Sequence, residues 1–398
     1  MSENRRQFLK HGVGAGLSLP AAPAILPQTA RGANDRIVFG LIGAGGRGRG
    51  VTANFREMGA RCAAVSDIYE PNQELALKAA GEGAVLIPEY RELLDRKDID
   101  AVLIATPDHH HAPMLFASLS AGKDVYLEKP MSYSIEEGAR MVKAVRASRQ
   151  IVQIGMQRRS SPSVLAAKAV VDSGQLGNIY LGRVQWFWNT SRPLNNTPLP
   201  GKVDWEKFLG PAPKRPLEPM RFRSWRVFWD YSGGNMTDQG THLMDVLQWF
   251  TNAGTPRAAV CQGFVYGMTG AETPDCFSAT FEYAKMMATW TLNYNNAYQN
   301  GWTLFLHGAQ GTMVLDTDGF QVFQEPWQKN RTPVYEFKGS ISTQAHVNNF
   351  LDCVRTRKEP NAPVEVGHTA VCGPHLANVA YHKKREAKLN AEATQVMV

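Results

Sequence analysis

The chain has 398 residues, 43% of them apolar and 20% charged, which describes a globular protein long enough for two domains. The formal net charge of +7 overstates the folded part, because Arg5, Arg6 and Lys10 stand against only Glu3 in residues 1–30 and so +5 remains beyond them. No basic run with interleaved aromatics points to nucleic acid, and the five cysteines (62, 261, 276, 353, 372) are odd in number and lack CxxC spacing, so they read as buried small side chains rather than a disulfide framework or zinc site.

The chain opens on Asn4-Arg5-Arg6-Gln7-Phe8-Leu9-Lys10, a twin-arginine motif, followed by a weakly apolar stretch from Gly12 to Leu26. Ala22-Pro23-Ala24 and Gln28-Thr29-Ala30 supply small-residue cleavage sites. Residues 1–33 therefore read as an export signal and linker that delivers an already folded protein to the periplasm through the twin-arginine machinery. The Gly12–Leu26 stretch is too short and glycine-rich to anchor in a bilayer, and no later run is long enough to span one.

Residues 34–155 carry a repeated strand–helix pattern. The apolar run Arg36–Ile42 enters Gly43-Ala44-Gly45-Gly46-Arg47-Gly48, a GxGxxG turn that opens a helix. Gly43 permits the turn, Gly45 lets backbone approach a pyrophosphate, and Gly48 lets helix and strand pack closely, while the helix N-terminus offers N–H groups to the anion. A second apolar run, Cys62–Ser66, ends at Asp67, about 20 residues past the last glycine, where a carboxylate accepts from the adenosine ribose hydroxyls and disfavours a 2′-phosphate. The pattern predicts bound NAD. Helix Pro71–Ala80, a short helix from Tyr90, strand Ile99–Ala105, helix Met114–Ala121, strand Asp124–Leu127, helix Ile135–Ser148 and strand Ile151–Ile154 complete a doubly wound parallel sheet. Its ligands bind at the carboxyl ends of strands, where Asp67, Thr106, Asp108, His111, Glu128, Lys129 and Gln157 fall.

Residues 156–398 form a second α/β domain. Strand-like runs Ile179–Trp188, Ala258–Tyr266, Phe277–Tyr283, Met286–Asn293, Trp302–His307, Thr312–Asp316, Phe320–Phe323 and Val334–Phe337 predict a large, mostly antiparallel open sheet. A long loop rich in Pro, Trp and Arg occupies Asn189–Asp230, and helices His346–Arg355 and Thr369–Lys384 close the chain.

Helix Met236–Phe250 separates two faces. At 100° per residue Asp238, His242, Asp245 and Trp249 fall within about 60° of one another, beside an apolar sector of Leu243, Val246, Leu247 and Phe250. The polar face has no Lys, Glu or Arg, the residues a merely solvated face prefers. The Trp-rich set Trp186, Trp188, Trp205, Trp225 and Trp229, interleaved with Arg192, Arg221, Arg223 and Arg226, suits a sugar cleft in which rings stack and guanidinium groups meet hydroxyls or a carboxylate. Gln157, Arg158 and Arg159 lie at the domain junction and join that candidate substrate set. Spacing argues against metal binding by Asp238/His242/Asp245 or by His109/His110/His111, because adjacent residues seldom face one point.

The GAGGRG turn with Asp67, Thr-Pro-Asp-x-x-His (106–111), Glu128-Lys129-Pro130 and Asp238-x-x-x-His242 together resemble the glucose–fructose oxidoreductase / inositol dehydrogenase / MocA family, from about residue 36 to the closing helices. The resemblance implies that Lys129 and His242 are the catalytic pair with Asp238 in support, that the open sheet serves a homo-oligomer (dimer or tetramer), and that an exported member holds its nucleotide tightly. It implies an NAD-dependent oxidoreductase acting on a secondary alcohol of a sugar, glycoside or polyol. The alternative is a glycoside hydrolase that oxidises, eliminates and reduces through the same bound NAD. Histidine as proton acceptor and a lysine ammonium beside the developing alkoxide are what either reaction needs.

Overall fold

The structure, a computed structural model, describes residues 36–327 and 332–397. The twin-arginine motif and the cleavage sites of residues 1–33 lie outside the described residues. The first sheet grows from β1 (Val38–Ile42), whose apolar residues are buried on both sides as a central parallel strand requires. After it come α1 (Gly46–Glu57), β2 (Arg61–Ser66), α2 (Glu70–Ala80), β3 (Val85–Leu86), α3 (Tyr90–Asp95), β4 (Ala101–Ile104), α4 (His111–Ser120), β5 (Asp124–Leu127), α5 (Ile135–Arg146) and β6 (Val152–Ile154). Ser134 starts α5 by accepting from the Glu137 N–H. The strands lie parallel in the order β3-β2-β1-β4-β5-β6. The order reverses between β1 and β4, which opens a crevice at their carboxyl ends.

Two boundaries differ from the sequence reading. Helix α4 begins at His111 rather than Met114, because Pro107 leads into a 3-10 turn over Asp108–His110 and Pro113 sits in the first helical turn, where no N–H is required. Strand β3 was not expected; it is two residues on the sheet edge with Val85 exposed, too short to alternate.

The second half contains α6 (Pro162–Asp172), β7 (Ile179–Phe187), α7 (Trp205–Leu209), α8 (Pro219–Arg223), α9 (Gly234–Asp238), α10 (Gly240–Thr251), β8 (Ala258–Phe264), β9 (Cys276–Glu282), β10 (Met287–Asn293), β11 (Gly301–Gly308), β12 (Gly311–Asp316), β13 (Gly319–Gln324), β14 (Tyr335–Lys338), α11 (Thr343–Thr356), α12 (Val364–Lys383), β15 (Ala387–Leu389) and β16 (Val396–Met397). The ten strands pair in the order β14-β13-β12-β11-β7-β10-β9-β8-β15-β16, antiparallel except for β7 beside β10. Alternate residues of β7, β9, β10 and β11 point to a core shared with α10 and α12, built on Val184, Leu243, Leu247, Phe281, Trp290 and Leu304.

The helix expected over Met236–Phe250 is two helices, α9 and α10, separated at Gln239. The break falls where the Asp238 carbonyl accepts from Lys129 Nζ at 2.7 Å, and where the ring nitrogen of Trp290 lies 2.8 Å from the position a Cβ on Gly240 would occupy. A side chain at Gly240 would push the new helix off the sheet.

Helix α11 returns to the first sheet. Phe350 meets Phe55 of α1 and Tyr126 of β5 with ring centroids 5.8 and 5.7 Å away, and Val347 and Leu351 join the same apolar core. The Ile154 N–H donates to the Ala362 carbonyl at 2.9 Å. Residues 343–362 thus complete the core of the nucleotide-binding half, although they follow the second sheet in the chain. Phe350→Ala should lower the unfolding free energy by about 3–5 kcal/mol in a urea titration, whereas the exposed Tyr298→Ala should stay within about 0.5 kcal/mol of the parent.

Candidate functional site

The glycine turn is shaped by two contacts and one space. Gly43 has φ +85°, its N–H donates to the Ser66 carbonyl at 2.9 Å, and a Cβ there would strike the Ala105 backbone and Thr106. A Cβ on Gly48 would overlap the Gly43 carbonyl oxygen, so turn and helix meet there with no room for a side chain. A Cβ at Gly45 or Gly46 would touch no protein atom, and the backbone is open on the side where an anion would approach the N-terminus of α1. Arg47 and Arg49 stand in that first turn, which has no acidic residue. The turn fits a dinucleotide.

Asp67 is buried at the end of β2. It accepts from the Ala44 N–H at 2.6 Å and the Tyr69 N–H at 2.9 Å, tying the glycine turn to the second strand. Burial raises its pKa against these hydrogen bonds. Asn72 Nδ2 also reaches Oδ2, at 3.5 Å, so the lone pair kept for a ribose hydroxyl is on Oδ1. Glu128, at the end of β5, accepts from Arg47 Nε at 2.7 Å and so braces the turn across two strands.

Lys129 follows in the chain, and its ammonium is gripped by one residue twice: Nζ donates to the Asp238 carboxylate at 2.7 Å and to the Asp238 carbonyl at 2.7 Å. Arg226 adds a contact to the same carboxylate at 3.3 Å. Burial pushes the Asp238 pKa up, but the charges of Lys129 and Arg226 outweigh it and hold the carboxyl down at about 2. Asp108, fully buried, moves the opposite way to about 7, through burial and the nearby Asp238 charge, while accepting from Ser232 Oγ at 2.8 Å.

His242 lies in the first turn of α10, 6% exposed, with Nδ1 buried and unpartnered. Burial, then the charges of Arg158 and Lys129, hold its pKa well below the usual range, so the imidazole is neutral and able to take a proton. Asp245, one turn on, is engaged: Arg159 meets both its oxygens, at 2.8 and 3.0 Å, with its guanidinium 4.8 Å from the Trp249 ring. Arg158 packs over the ring of Trp302 at 4.6 Å, and Gln157 Oε1 beside it in the chain is buried without a partner.

The remaining expected residues divide. Trp188 stacks on Tyr294 at 5.4 Å, and Trp225 carries Arg226 across its ring at 4.2 Å, which links it to Asp238. Arg192 is exposed and donates to the Ser191 carbonyl of its own loop at 2.6 Å. Trp205, stacked on Phe208, and Trp229, whose Nε1 donates to the Glu272 carbonyl, hold the 189–230 loop together instead of facing a ligand. Arg221 is consumed by Glu218, Asp230 and Glu272, and Arg223 by carbonyls of residues 195, 197 and 198. Among the histidines, His111 bonds the Pro130 and Thr106 carbonyls, while His109 and His110 both reach the Phe208 carbonyl. The Thr106 hydroxyl is buried and unpartnered. No metal-holding cluster occurs among the described residues. Ser232 and Asn235, whose Nδ2 is buried and unpaired, escaped the sequence reading because neither belongs to a charged pattern.

Residues 37–156 match the family model for the oxidoreductase family with an NAD-binding Rossmann fold, GFO_IDH_MocA, and residues 164–314 match the GFO/IDH/MocA C-terminal domain. The chain belongs to the Gfo/Idh/MocA family. It is 35% identical over 150 residues (37% of this chain) to inositol 2-dehydrogenase of Rubrobacter xylanophilus, and 30% identical over 185 residues (46% of this chain) to levoglucosan dehydrogenase of Pseudarthrobacter phenanthrenivorans. These stretches span 43% and 41% of the lengths of the two relatives. Among solved structures, a levoglucosan dehydrogenase complex with NADH and levoglucosan superposes over 89% of this chain and 99% of its own, with a TM-score of 0.72 at 19% identity. The WlbA dehydrogenase of Bordetella pertussis, in complex with NADH and UDP-GlcNAcA, covers 89% of this chain and 99% of its own with a TM-score of 0.69 at 21% identity. Both share the fold. The NAD-binding domain of this Gfo/Idh/MocA member is the glycine-turn half described above.

The raised pKa of Asp108 makes a signed prediction. An unfolded chain ionises this carboxyl near its ordinary 3.8 while the folded one keeps its proton to about 7, so the stability it contributes is lost as pH rises between those values. Asp108→Asn keeps an acceptor for Ser232 without the charge. Its melting temperature relative to the parent should climb from pH 4 to pH 7 and level off above.

Proposed function

We propose that this protein is an NAD-dependent dehydrogenase that moves a hydride between bound nicotinamide and a secondary-alcohol carbon of a sugar or polyol. The observation that carries the reading is the buried pairing of Lys129 with one carboxylate oxygen and the main-chain carbonyl of Asp238, beside an imidazole whose Nδ1 has no protein partner. Bound NAD supplies the hydride acceptor and, in its reduced form, the donor. An ammonium has three donors, and Asp238 takes two, which leaves one for the substrate oxygen. His242 accepts the hydroxyl proton, and Lys129 stabilises the negative charge that develops on the oxygen. Asp238 stays ionised and orients Lys129. That the named relatives are inositol and levoglucosan dehydrogenases supports a carbohydrate substrate and a redox outcome rather than glycoside hydrolysis.

Asp67 supports NAD over NADP, because a buried carboxylate would repel a 2′-phosphate. The Arg5-Arg6 motif supports export of the folded, NAD-loaded protein to the periplasm. Exposed Val260 and Phe264 on β8 and Met287 on β10, strands that flank β9 in the second sheet, support a homo-oligomer.

Lys129→Met and His242→Ala should each cut turnover by about 10²–10⁴-fold, measured as nicotinamide reduction with a panel of sugars and polyols, with nucleotide content retained. The double variant should be little worse than the poorer single one, since the two act on one hydroxyl. A folded, NAD-loaded His242→Ala protein with parental turnover would refute the assignment. For export, Arg5→Lys with Arg6→Lys should leave the protein in the cytoplasm on fractionation.

A further inference from the structure

Two arginines sit side by side in the turn after β6 and are treated differently. Arg159 makes a bidentate pair with Asp245. Arg158, 4% exposed, has no hydrogen bond or ion pair among the described residues: its Nε is buried and unpartnered, and its guanidinium lies on the faces of Trp302 and Trp186, at 4.6 and 5.6 Å. Asp245 acts on it only as a distant charge. The other cations of the site each contact a carboxylate, Lys129 and Arg226 sharing Asp238 and Arg159 pairing with Asp245. A buried guanidinium without an acceptor is costly, and a leucine or methionine would fill the same space between two indoles without that cost. The unpaired fork is therefore waiting for an anion.

Its position says what kind. Arg158 adjoins Arg159, whose partner Asp245 is one turn from His242 on α10, and its charge also acts on that imidazole. Trp186 and Trp302 belong to β7 and β11 of the second sheet, which places the fork on the substrate side and away from the glycine turn that receives the pyrophosphate. We propose that Arg158 receives a carboxylate, and that the substrate of this site is an acidic sugar, a uronate or aldonate, oxidised at a hydroxyl close to its carboxyl group. One guanidinium fork matches the two oxygens and single charge of a carboxylate, whereas a phosphate monoester carries about −1.5 to −2 and usually gathers more donors. The unpartnered Gln157 Oε1 adds an acceptor for a neighbouring hydroxyl. Binding the carboxylate also neutralises the charge that most depresses His242, so the imidazole becomes more basic once substrate is in place.

This inference rests on the dehydrogenase reading only for the word substrate, and the test separates the two. Purified, NAD-loaded protein is titrated by calorimetry with matched pairs, D-glucuronate against D-glucose and D-galacturonate against D-galactose, with glucose 6-phosphate as a third arm. Each uronate should bind about 10²–10³-fold more tightly than its neutral partner, the scale of a desolvated charge-assisted pair. Arg158→Gln, checked for melting temperature and nucleotide content, should bring that ratio close to one, and Arg158→Lys should restore only part of it. A purely structural arginine would weaken both members of a pair alike and leave the ratio unchanged, which overturns the proposal. So does equal binding of the pair, absence of uronate binding, or tighter binding of the phosphate. Nicotinamide reduction is read in parallel. Uronates that bind through Arg158 with no sugar oxidised would refute the dehydrogenase and keep the carboxylate site, and oxidation of neutral sugars without uronate preference would do the reverse.

Discussion

The contact on which the rest of the site depends is the double grip of Asp238 on Lys129. It joins the carboxyl end of β5, in the nucleotide-binding half, to the end of α9, in the half that carries the second sheet. Both side chains are nearly out of water, so the pair is stable only because each charge has the other and because the Asp238 carbonyl accepts a second N–H of the ammonium. Removing one partner from such a pair typically costs about 3–5 kcal/mol. The same contact takes the Asp238 carbonyl at the point where α9 gives way to α10, the helix whose first turn carries His242. One residue thereby holds the lysine next to the start of the histidine's helix.

Electrostatics around this pair are sorted by burial. Asp238 is held ionised by two cations, and Asp108, a short way off and without a cation of its own in direct contact, is held toward neutrality. His242 is held neutral by burial and then by Arg158 and Lys129, the latter also keeping Asp238 negative. Carboxylate anchor, proton-bearing carboxyl and neutral imidazole are thus three outcomes of one local field. The glycine turn works by a different means: Gly43 and Gly48 are required by contacts of the protein with itself, whereas Gly45 and Gly46 face open space, so half of the motif serves the fold and half the ligand.

Much of this was legible locally. The first half declares itself through short-range signals, namely a β-branched run into glycines, an acidic residue at the next strand end and a Lys-Pro pair at the fifth, because a parallel sheet puts every strand's carboxyl end on one rim. The Trp- and Arg-rich loop was legible only in composition. Trp205 and Trp229 turned inward to hold it and Arg221 and Arg223 were spent on its own acceptors, whereas Trp225 carries Arg226 to Asp238, and Trp186, on the strand before the loop, lies under Arg158. Stacking on a sugar and stacking on a phenylalanine ask for the same side chain, so sequence could not separate them.

What the sequence by itself determined was the kind of each half and the nucleotide turn, because these follow from residue type, spacing and period; Lys129, Asp238 and His242 entered as catalytic candidates through the family resemblance. What tertiary structure decided was which polar groups found partners. The wheel put Asp238, His242 and Asp245 on one face, yet Asp245 was taken by Arg159 and Asp238 by Lys129, while His242 Nδ1 and Arg158 were left unpaired. The helix break at Gln239 and the return of Phe350 to Phe55 and Tyr126 are of the same kind. Each depends on a side chain distant in the sequence, 86 residues for Arg159 and Asp245 and 109 for Lys129 and Asp238, competing for one carbonyl, one carboxylate or one apolar surface. Such competition is settled by folding, since periodicity reports only which way a side chain points and never what is already waiting there.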